Sequence, residues 1–282
     1  MKLLVDCFTV IRPKQWIKNL LVLAAPIAST RFIDYFIEIC IAILTFMSAS
    51  SLGYIVNDWQ DREKDRLHKA KKNRPFASES LTKVHFKFLF LILTLITIAG
   101  SLYLGFNFAL ITLAYLLITF MYTFIVKFIP TIEMVWLASG FLIRALAGSI
   151  LVEVKPTGWF NIAVFFGALF VVANKRFAEK LHSKSNETRA VLWSYEEEFL
   201  GSVANIAASA TLLTYCLWVI QEHSNSYLAQ LSILPFVACI LLYKSISKHT
   251  VSESPEDALI SNKPILISAA LSCLLMVMVF YL

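Results

Sequence analysis

The sequence predicts an all-α integral membrane protein of about nine transmembrane helices, and three observations carry that expectation. The 282 residues are 58% hydrophobic and only 16% charged, with a mean hydropathy of +0.70, whereas a soluble domain carries roughly a quarter charged residues. The apolar residues fall in blocks close to the roughly 20 residues that a helix needs to cross a bilayer. The Lys and Arg residues crowd into alternate connections between those blocks. A soluble enzyme and a disordered chain are excluded by composition. An outer-membrane barrel is disfavoured because no ten-residue segment alternates polar and apolar residues.

In chain order, the opening MKLLVDCFTVIRPKQW is polar enough not to be a secretory signal: Asp6 interrupts its apolar run and no small-residue cleavage site follows. The expected spans are 16–35, 36–56, 86–104, 106–126, 131–151, 158–174, 199–220, 229–243 and 264–282, the sixth and eighth being short. The stretches 57–85, 174–198 and 244–263 between them are unusually polar. No Pro/Gly/Ser-rich linker and no clear internal repeat divides the chain, so 1–282 is expected to be one membrane domain.

With nine spans and a cytosolic N-terminus, the inside segments hold 22 of the 25 Lys and Arg residues, the outside loops hold Arg31 and Lys155, and Arg144 lies within a span. The expected location is therefore the cell (inner, cytoplasmic) membrane, multi-pass, with the C-terminus external. The net charge of +6 is concentrated on the cytosolic face, where it meets anionic lipid. No soluble unit presents it to nucleic acid. Cys7, Cys40, Cys216, Cys239 and Cys273 form no CxxC pair and read as small apolar residues. The five histidines show no metal-ligand spacing either.

The segment after the second span reads Asn57-Asp58-Trp59-Gln60-Asp61-Arg62-Glu63-Lys64-Asp65-Arg66. If the helix continues into the cytosol, Asn57, Asp61 and Asp65 recur every four residues, with Asp58 one turn from Asp61. Stacked like charges cost about 0.2–0.5 kcal/mol per pair, so the stripe calls for a compensating cation. Oxygen ligands without His or Cys suit Mg²⁺, which binds through one or two carboxylates plus substrate phosphates and water. Directly behind come Arg66, His68, Lys69, Lys71, Lys72 and Arg74, closed by Pro75, a basic run suited to a diphosphate. Arg144 near a helix centre costs about 2.5–3.5 kcal/mol and is expected to face a polar cavity. Lys127, Glu133 and Arg144 are expected to bracket the turn between the fourth and fifth spans, with a structural Arg–Glu pair as the plainer alternative. Asn174, Lys175, Arg176 and Glu179 end the sixth span at the same cytosolic level.

These residues resemble the UbiA-type intramembrane prenyltransferases, through NDxxDxxxD at 57–65 after the second span, and within them the polyprenyl-phosphate phosphoribosyltransferase branch. The closer resemblance lies in RPKQWIKN at 12–19, His68 with KKNRP at 71–75, Tyr122 with Lys127, SGFLIRA at 139–145, and Lys175-Arg176 with Glu179. The chain departs from the branch at Lys69, where Pro is usual, at Glu79, where Gly is usual, and at Glu133, where Asp is usual.

What the resemblance implies is a UbiA-like bundle with a cytosolic-side active site. The activity would be Mg²⁺-dependent transfer of 5-phosphoribosyl from 5-phosphoribosyl-1-diphosphate (PRPP) to a polyprenyl (decaprenyl-type) phosphate. That product would feed a lipid-linked D-arabinofuranose donor for cell-envelope glycans. Asp58, Asp61 and Asp65 would be catalytic and, with Asn57, would hold the metal. Lys18, Arg66, Lys71, Lys72, Arg74, Tyr122, Lys127, Glu133, Arg144, Lys175 and Arg176 would contact substrates. The bilayer is a partner, nucleic acid is not, and a homo-oligomer is compatible with this reading. The alternatives are a UbiA-type aromatic prenyltransferase using a polyprenyl diphosphate, favoured by two acidic motifs, and a transporter of an anionic solute, favoured by Gly/Pro-broken helices at mid-membrane.

Overall fold

The computed structural model describes residues 2–68, 71–182, 190–247 and 262–282, and every regular element among them is a helix. Eight helices are long and apolar enough to cross a membrane: α3 (Phe36–Arg66), α4 (Lys83–Tyr103), α5 (Phe106–Phe124), α6 (Ile132–Leu151), α7 (Gly158–His182), α9 (Glu197–His223), α10 (Tyr227–Ser247) and α11 (Lys263–Tyr281). Short helices α1 (Lys2–Ile11), α2 (Ala24–Ala28) and α8 (Ala190–Trp193) complete the set. The protein is a multi-pass membrane protein.

The expected first span, 16–35, is not a regular α-helix. Arg12 takes a left-handed backbone conformation (φ 55°) that breaks the chain after α1, and a 3-10 helix runs from Pro13 to Leu23 into α2. With rises of roughly 2.0 Å and 1.5 Å per residue, the two pieces extend about 30 Å. That is close to the thickness of the hydrocarbon core, but the segment is not among the eight helices of the described residues that are long and apolar enough to cross a membrane, one fewer than the nine expected. Its thin backbone lies directly on α6. A Cβ placed on Gly148 would sit 2.0 Å from the Val22 carbonyl oxygen and 3.2 Å from Cδ of Pro26. Small residues let helices approach closely where no hydrophobic drive between them exists in lipid. The same device appears where Thr119 Cγ2 of α5 meets Gly53 and Thr45 Oγ1 of α3 meets Gly100 of α4.

Several expected boundaries move outward, two of them by eight residues or more. Helix α3 continues ten residues past the apolar block that ends at 56, and α7 runs to His182 instead of ending at 174. Both extensions carry the polar residues of interest on regular helix, so their spacing is fixed by the helical period. Helix α3 is the central element. Phe46 and Tyr115 pack in one cluster with Val22, Ile143 and Ala147, and Leu52, Ile55 and Val56 pack in another with Val10, Phe76 and Leu81. The second cluster holds the described part of the 67–82 connection, residues 71–82, over the end of α3. Phe76 is buried, its ring edge-on to Trp59 at 5.5 Å, and Trp59 stacks on Phe86 at 4.9 Å. Lys69 lies outside the described residues.

Because backbone cannot withdraw from backbone as a flexible side chain would, Gly148→Ala is expected to destabilise the protein by about 1–3 kcal/mol. A thermal unfolding midpoint in detergent equal to that of the wild type would refute this packing.

Candidate active site

The stripe on α3 is present, but the helical period divides it differently from the every-four reading. Seven residues return to within about 20° of the starting direction, whereas eight overshoot it. Accordingly Asp58 and Asp65 share one edge and Asn57 and Asp61 the other. Arg74 Nη1 bridges the first pair, donating to Asp65 Oδ2 at 2.8 Å and Asp58 Oδ1 at 3.1 Å. Arg12 Nη2 donates to the same Asp58 oxygen at 2.6 Å. On the other edge Lys127 Nζ donates to Asp61 Oδ1 and Oδ2 at 2.7 and 3.0 Å, and to Asn57 Oδ1 at 3.4 Å. Three carboxylates thus meet three cations supplied by three separate segments. Asp58 and Asp65 are buried, so ionising them without those partners would be unfavourable.

The local reasons for each cation are distinct. Arg12 is delivered by the break between α1 and the 3-10 helix, where its guanidinium also lies 5.1 Å from the Tyr54 ring centroid. Arg74 is held by the apolar plug of the 67–82 connection. Lys127 sits on a one-turn 3-10 helix, Val126–Phe128, whose buried Val126 anchors the turn against the bundle.

A second ionic cluster lies between α5, α6 and α7. Arg176 donates to both oxygens of the fully buried Glu133, at 2.6 and 2.8 Å, and to Glu179 Oε2 at 2.7 Å. Tyr122 OH donates to Glu133 Oε2 at 3.4 Å and accepts from Arg176 Nη2 at 3.3 Å. Lys175 Nζ lies 3.9 Å from Glu179 Oε1. Nearby, the Thr131 N–H donates to Tyr195 OH at 2.7 Å, and burial raises the Tyr195 hydroxyl above its ordinary pKa.

Deeper in the bundle Arg144 is buried, donating from Nε to Asn19 Oδ1 at 2.8 Å, from Nη1 to the Gly140 carbonyl at 2.8 Å and from Nη2 to Tyr115 OH at 2.6 Å. The Arg–Glu brace weighed from the sequence does exist, but Glu133 makes it with Arg176 and not with Arg144. Nor does Arg144 share the turn with Lys127 and Glu133.

Of the other expected site residues, Arg66 points away from the stripe: it donates to the Ala77 carbonyl at 3.0 Å, Glu63 at 3.0 Å and Glu79 at 2.5 Å, tying down the 67–82 connection. Lys71 and Lys72 lie in that connection, Lys72 exposed. Lys18 Nζ donates to Gln15 Oε1 and approaches the Phe141 ring to 5.9 Å from its centroid. Arg12 was missed as a site residue. The signal available was a cation immediately before a proline, a place where the backbone is already restricted.

Among the described residues no three His, Cys, Asp or Glu side chains converge as a ready metal cage. The donor set itself, three carboxylates and an amide oxygen without sulfur or imidazole, fits a hard divalent cation held by one or two carboxylates and completed by substrate phosphates. With a metal and a phosphate bound, the carboxylates would face the metal and Arg12, Arg74 and Lys127 would be placed to donate to phosphate oxygens.

Comparisons with known proteins agree with this architecture. The family described as "UbiA prenyltransferase family" matches residues 20–262. Decaprenyl-phosphate phosphoribosyltransferase of Mycobacterium tuberculosis is 34% identical, over 90% of this chain and 87% of its own length. The protein of that name from Corynebacterium glutamicum is 32% identical over 96% and 86%. Among solved structures, a UbiA homologue from Archaeoglobus fulgidus bound to GPP and Mg²⁺ superposes with a TM-score of 0.73 at 16% identity over 96% of both chains. Its Cd²⁺-bound form gives 0.71 at 15% over 98% of this chain and all of the other. At these identities the structural likeness establishes the fold.

The Arg176–Glu133 pair yields a stability prediction. Glu133→Gln leaves a buried guanidinium short of its counter-charge and is expected to cost about 3–5 kcal/mol. Glu133→Gln combined with Arg176→Met is expected to regain much of that loss. A single variant as stable as wild type by thermal unfolding would show that the pair holds nothing together.

Proposed function

This chain belongs to the UbiA prenyltransferase family, and from that premise we propose that it transfers 5-phosphoribosyl from PRPP to a polyprenyl phosphate, releasing diphosphate. The observation that carries the reading is the pairing of three carboxylates with three cations: Arg12 and Arg74 on Asp58, Arg74 also on Asp65, and Lys127 on Asp61. Such a stripe is poised to trade its internal ion pairs for a metal–diphosphate, carboxylates facing the metal and cations facing the phosphate oxygens. Similarity over 90% of the chain to proteins named decaprenyl-phosphate phosphoribosyltransferase supports the choice of acceptor and transferred group. Glu133, the remnant of a second acidic motif, is already engaged by Arg176. A lone carboxylate sealed at 0% exposure is a poor second metal-binding motif of the kind an aromatic prenyltransferase would use.

On this reading Asn57, Asp58, Asp61 and Asp65 hold Mg²⁺, which when bound supplies charge neutralisation for the leaving diphosphate. Arg12, Arg74 and Lys127 donate to the diphosphate oxygens as negative charge builds on them. The bond from ribose C1 to the diphosphate oxygen breaks and its electron pair leaves with diphosphate. An oxygen of the lipid phosphate then bonds to C1. That phosphate is already an anion, so the site needs no strong general base to activate it. Lys71 and Lys72, beside Arg74 in the 67–82 connection, draw the anionic donor to the site. The whole chain acts as one membrane domain in the cytoplasmic membrane, with the site facing the cytosol and the product destined for envelope glycans.

Asp61→Asn and Asp65→Asn are each expected to lower turnover by at least about a hundredfold, the scale of several kcal/mol of transition-state charge stabilisation. The assay uses purified protein, labelled PRPP and a polyprenyl phosphate, with and without Mg²⁺. Near-normal rates in the variants at saturating Mg²⁺ would sink the metal assignment. Prenylation of an aromatic acceptor from a prenyl diphosphate would replace the function. The orientation has its own check. Single cysteines at Ser78 and Lys155, placed in a cysteine-free background, should be protected from and labelled by an impermeant thiol reagent respectively, because of the segregation of basic residues. The reverse pattern would invert the topology.

A further inference from the structure

We infer that Tyr195 is a positioning residue for Lys127: its hydroxyl clamps a strained turn that sets the reach of Lys127 onto Asp61 and Asn57. The clamp rests on backbone geometry; what it does for turnover rests on the transferase reading. Between Lys127 and α6 the chain passes through Pro130 and Thr131. Thr131 has φ 66° and ψ −51°, and the Ile132 N–H donates to the Pro130 carbonyl at 2.7 Å. Those dihedrals and that hydrogen bond define a γ-turn of the rare, strained hand. A β-branched residue is a steric outlier at positive φ, and such a conformation persists only where the surroundings impose it. The turn's own side chains do not impose it, because every one from Phe128 to Ile132 is exposed. Buried Val126 and Met134 anchor the chain on either side. At the strained residue itself the hold is the bond from the Thr131 N–H to Tyr195 OH, at 2.7 Å.

Tyr195 is well fixed for that task. It is buried, stacks on Phe199 with ring centroids 6.0 Å apart, and packs with Met134, Val172 and Leu200. The segment that delivers it is fixed as well. Helix α8, just before Tyr195, rests on the 3-10 turn that carries Lys127. Lys180 of α7 ties α8 down, donating to the Leu192 carbonyl at 3.1 Å and lying 5.0 Å from the Trp193 ring centroid. The α7–α9 connection therefore holds the Lys127 segment at both its 3-10 turn and its γ-turn. What is held is a short reach: Lys127 Nζ lies 2.7 and 3.0 Å from the two Asp61 oxygens and 3.4 Å from Asn57 Oδ1. Relaxing Thr131 to negative φ would redirect the backbone four residues from Lys127, and hydrogen bonds of this kind weaken steeply as distance and angle depart from the optimum.

The competing account is that Tyr195 merely fills the cluster between α6, α7 and α9. Tyr195→Phe keeps the buried ring and removes only the acceptor. Thr131→Gly supplies a residue that takes positive φ without steric cost, which removes the need for a clamp. Wild type, both single variants and the double variant are compared as full-length protein in lipid nanodiscs, below their unfolding midpoints. Trace acetylation by acetic anhydride, read by mass spectrometry against exposed Lys83, follows Lys127 whether or not the protein turns over. Turnover is measured with PRPP and a polyprenyl phosphate. Tyr195→Phe is expected to raise Lys127 acetylation at least about threefold and to lower kcat about tenfold, the scale of one hydrogen bond. KM for both substrates should stay within about twofold, because Lys127 acts on charge that builds in the transition state. Thr131→Gly alone is expected to match wild type within about twofold, and the double variant to recover most of both changes. The inference is overturned if Tyr195→Phe leaves Lys127 acetylation or, in an active enzyme, kcat unchanged. It is also overturned if the double variant stands no closer to wild type than Tyr195→Phe does. Acetylation that rises and is rescued in a protein that transfers no phosphoribosyl group would sink the proposed reaction and leave the clamp standing.

Discussion

Three carboxylates on about two turns of one helix can remain ionised at a membrane surface only if positive charge is brought to them, and much of the architecture at this end of the bundle serves that need. Asp58 and Asp65 are buried, so an unpaired charge at either would destabilise the fold by far more than surface repulsion does. The chain answers by breaking after α1 to deliver Arg12, by folding 67–82 back on an aromatic plug to deliver Arg74, and by inserting a single 3-10 turn between α5 and α6 to deliver Lys127. Each is an irregular segment positioned by apolar packing. The candidate site is consequently built by tertiary contacts around a regular helix, with the cations delivered by packed irregular segments.

The same logic orders the polar residues by depth. At the end of α3 the ion pairs are numerous and partly accessible, which suits exchange with an incoming anion. Between α5, α6 and α7 the Arg176–Glu133 pair is sealed, with relative side-chain exposures of 2% and 0%, and is suited to holding helices in place. Further in, Arg144 is held by neutral groups. Lipid cannot satisfy any of these atoms, so each must find its partner inside the protein. Helix contacts relying on Gly148, Gly53 and Gly100 bring the backbones close enough for that.

The chain's fold and part of its candidate site were legible in the sequence. Composition, block length and the segregation of Lys and Arg depend on the solvent around each residue, and the solvent is legible locally; they fixed a helical membrane protein with its polar residues at one face. The oxygen stripe of 57–65 was legible for the same reason, since helical spacing is a property of neighbours in sequence. Its exact pairing was not, because a four-residue pattern read over eight positions drifts away from the helix face, and Arg74 shows that 58 and 65 belong together.

What tertiary structure alone decided is which cation meets which anion. Arg12 and Asp58 are 46 residues apart, Lys127 and Asp61 66, and Arg176 and Glu133 43. Nothing in local spacing distinguishes these pairs from the ones expected around Arg66 and Arg144. Arg66 was drawn off by Glu63 and Glu79, and Arg144 by Asn19 and Tyr115, because charge and hydrogen-bond partners are chosen by proximity after the helices pack. The 16–35 segment departs from an ordinary α-helix for a related reason. It is apolar enough for a span to be expected, but a strained Arg12, a proline at each end of the segment and the close approach of Val22 to Gly148 make a thin 3-10 helix the form that packs.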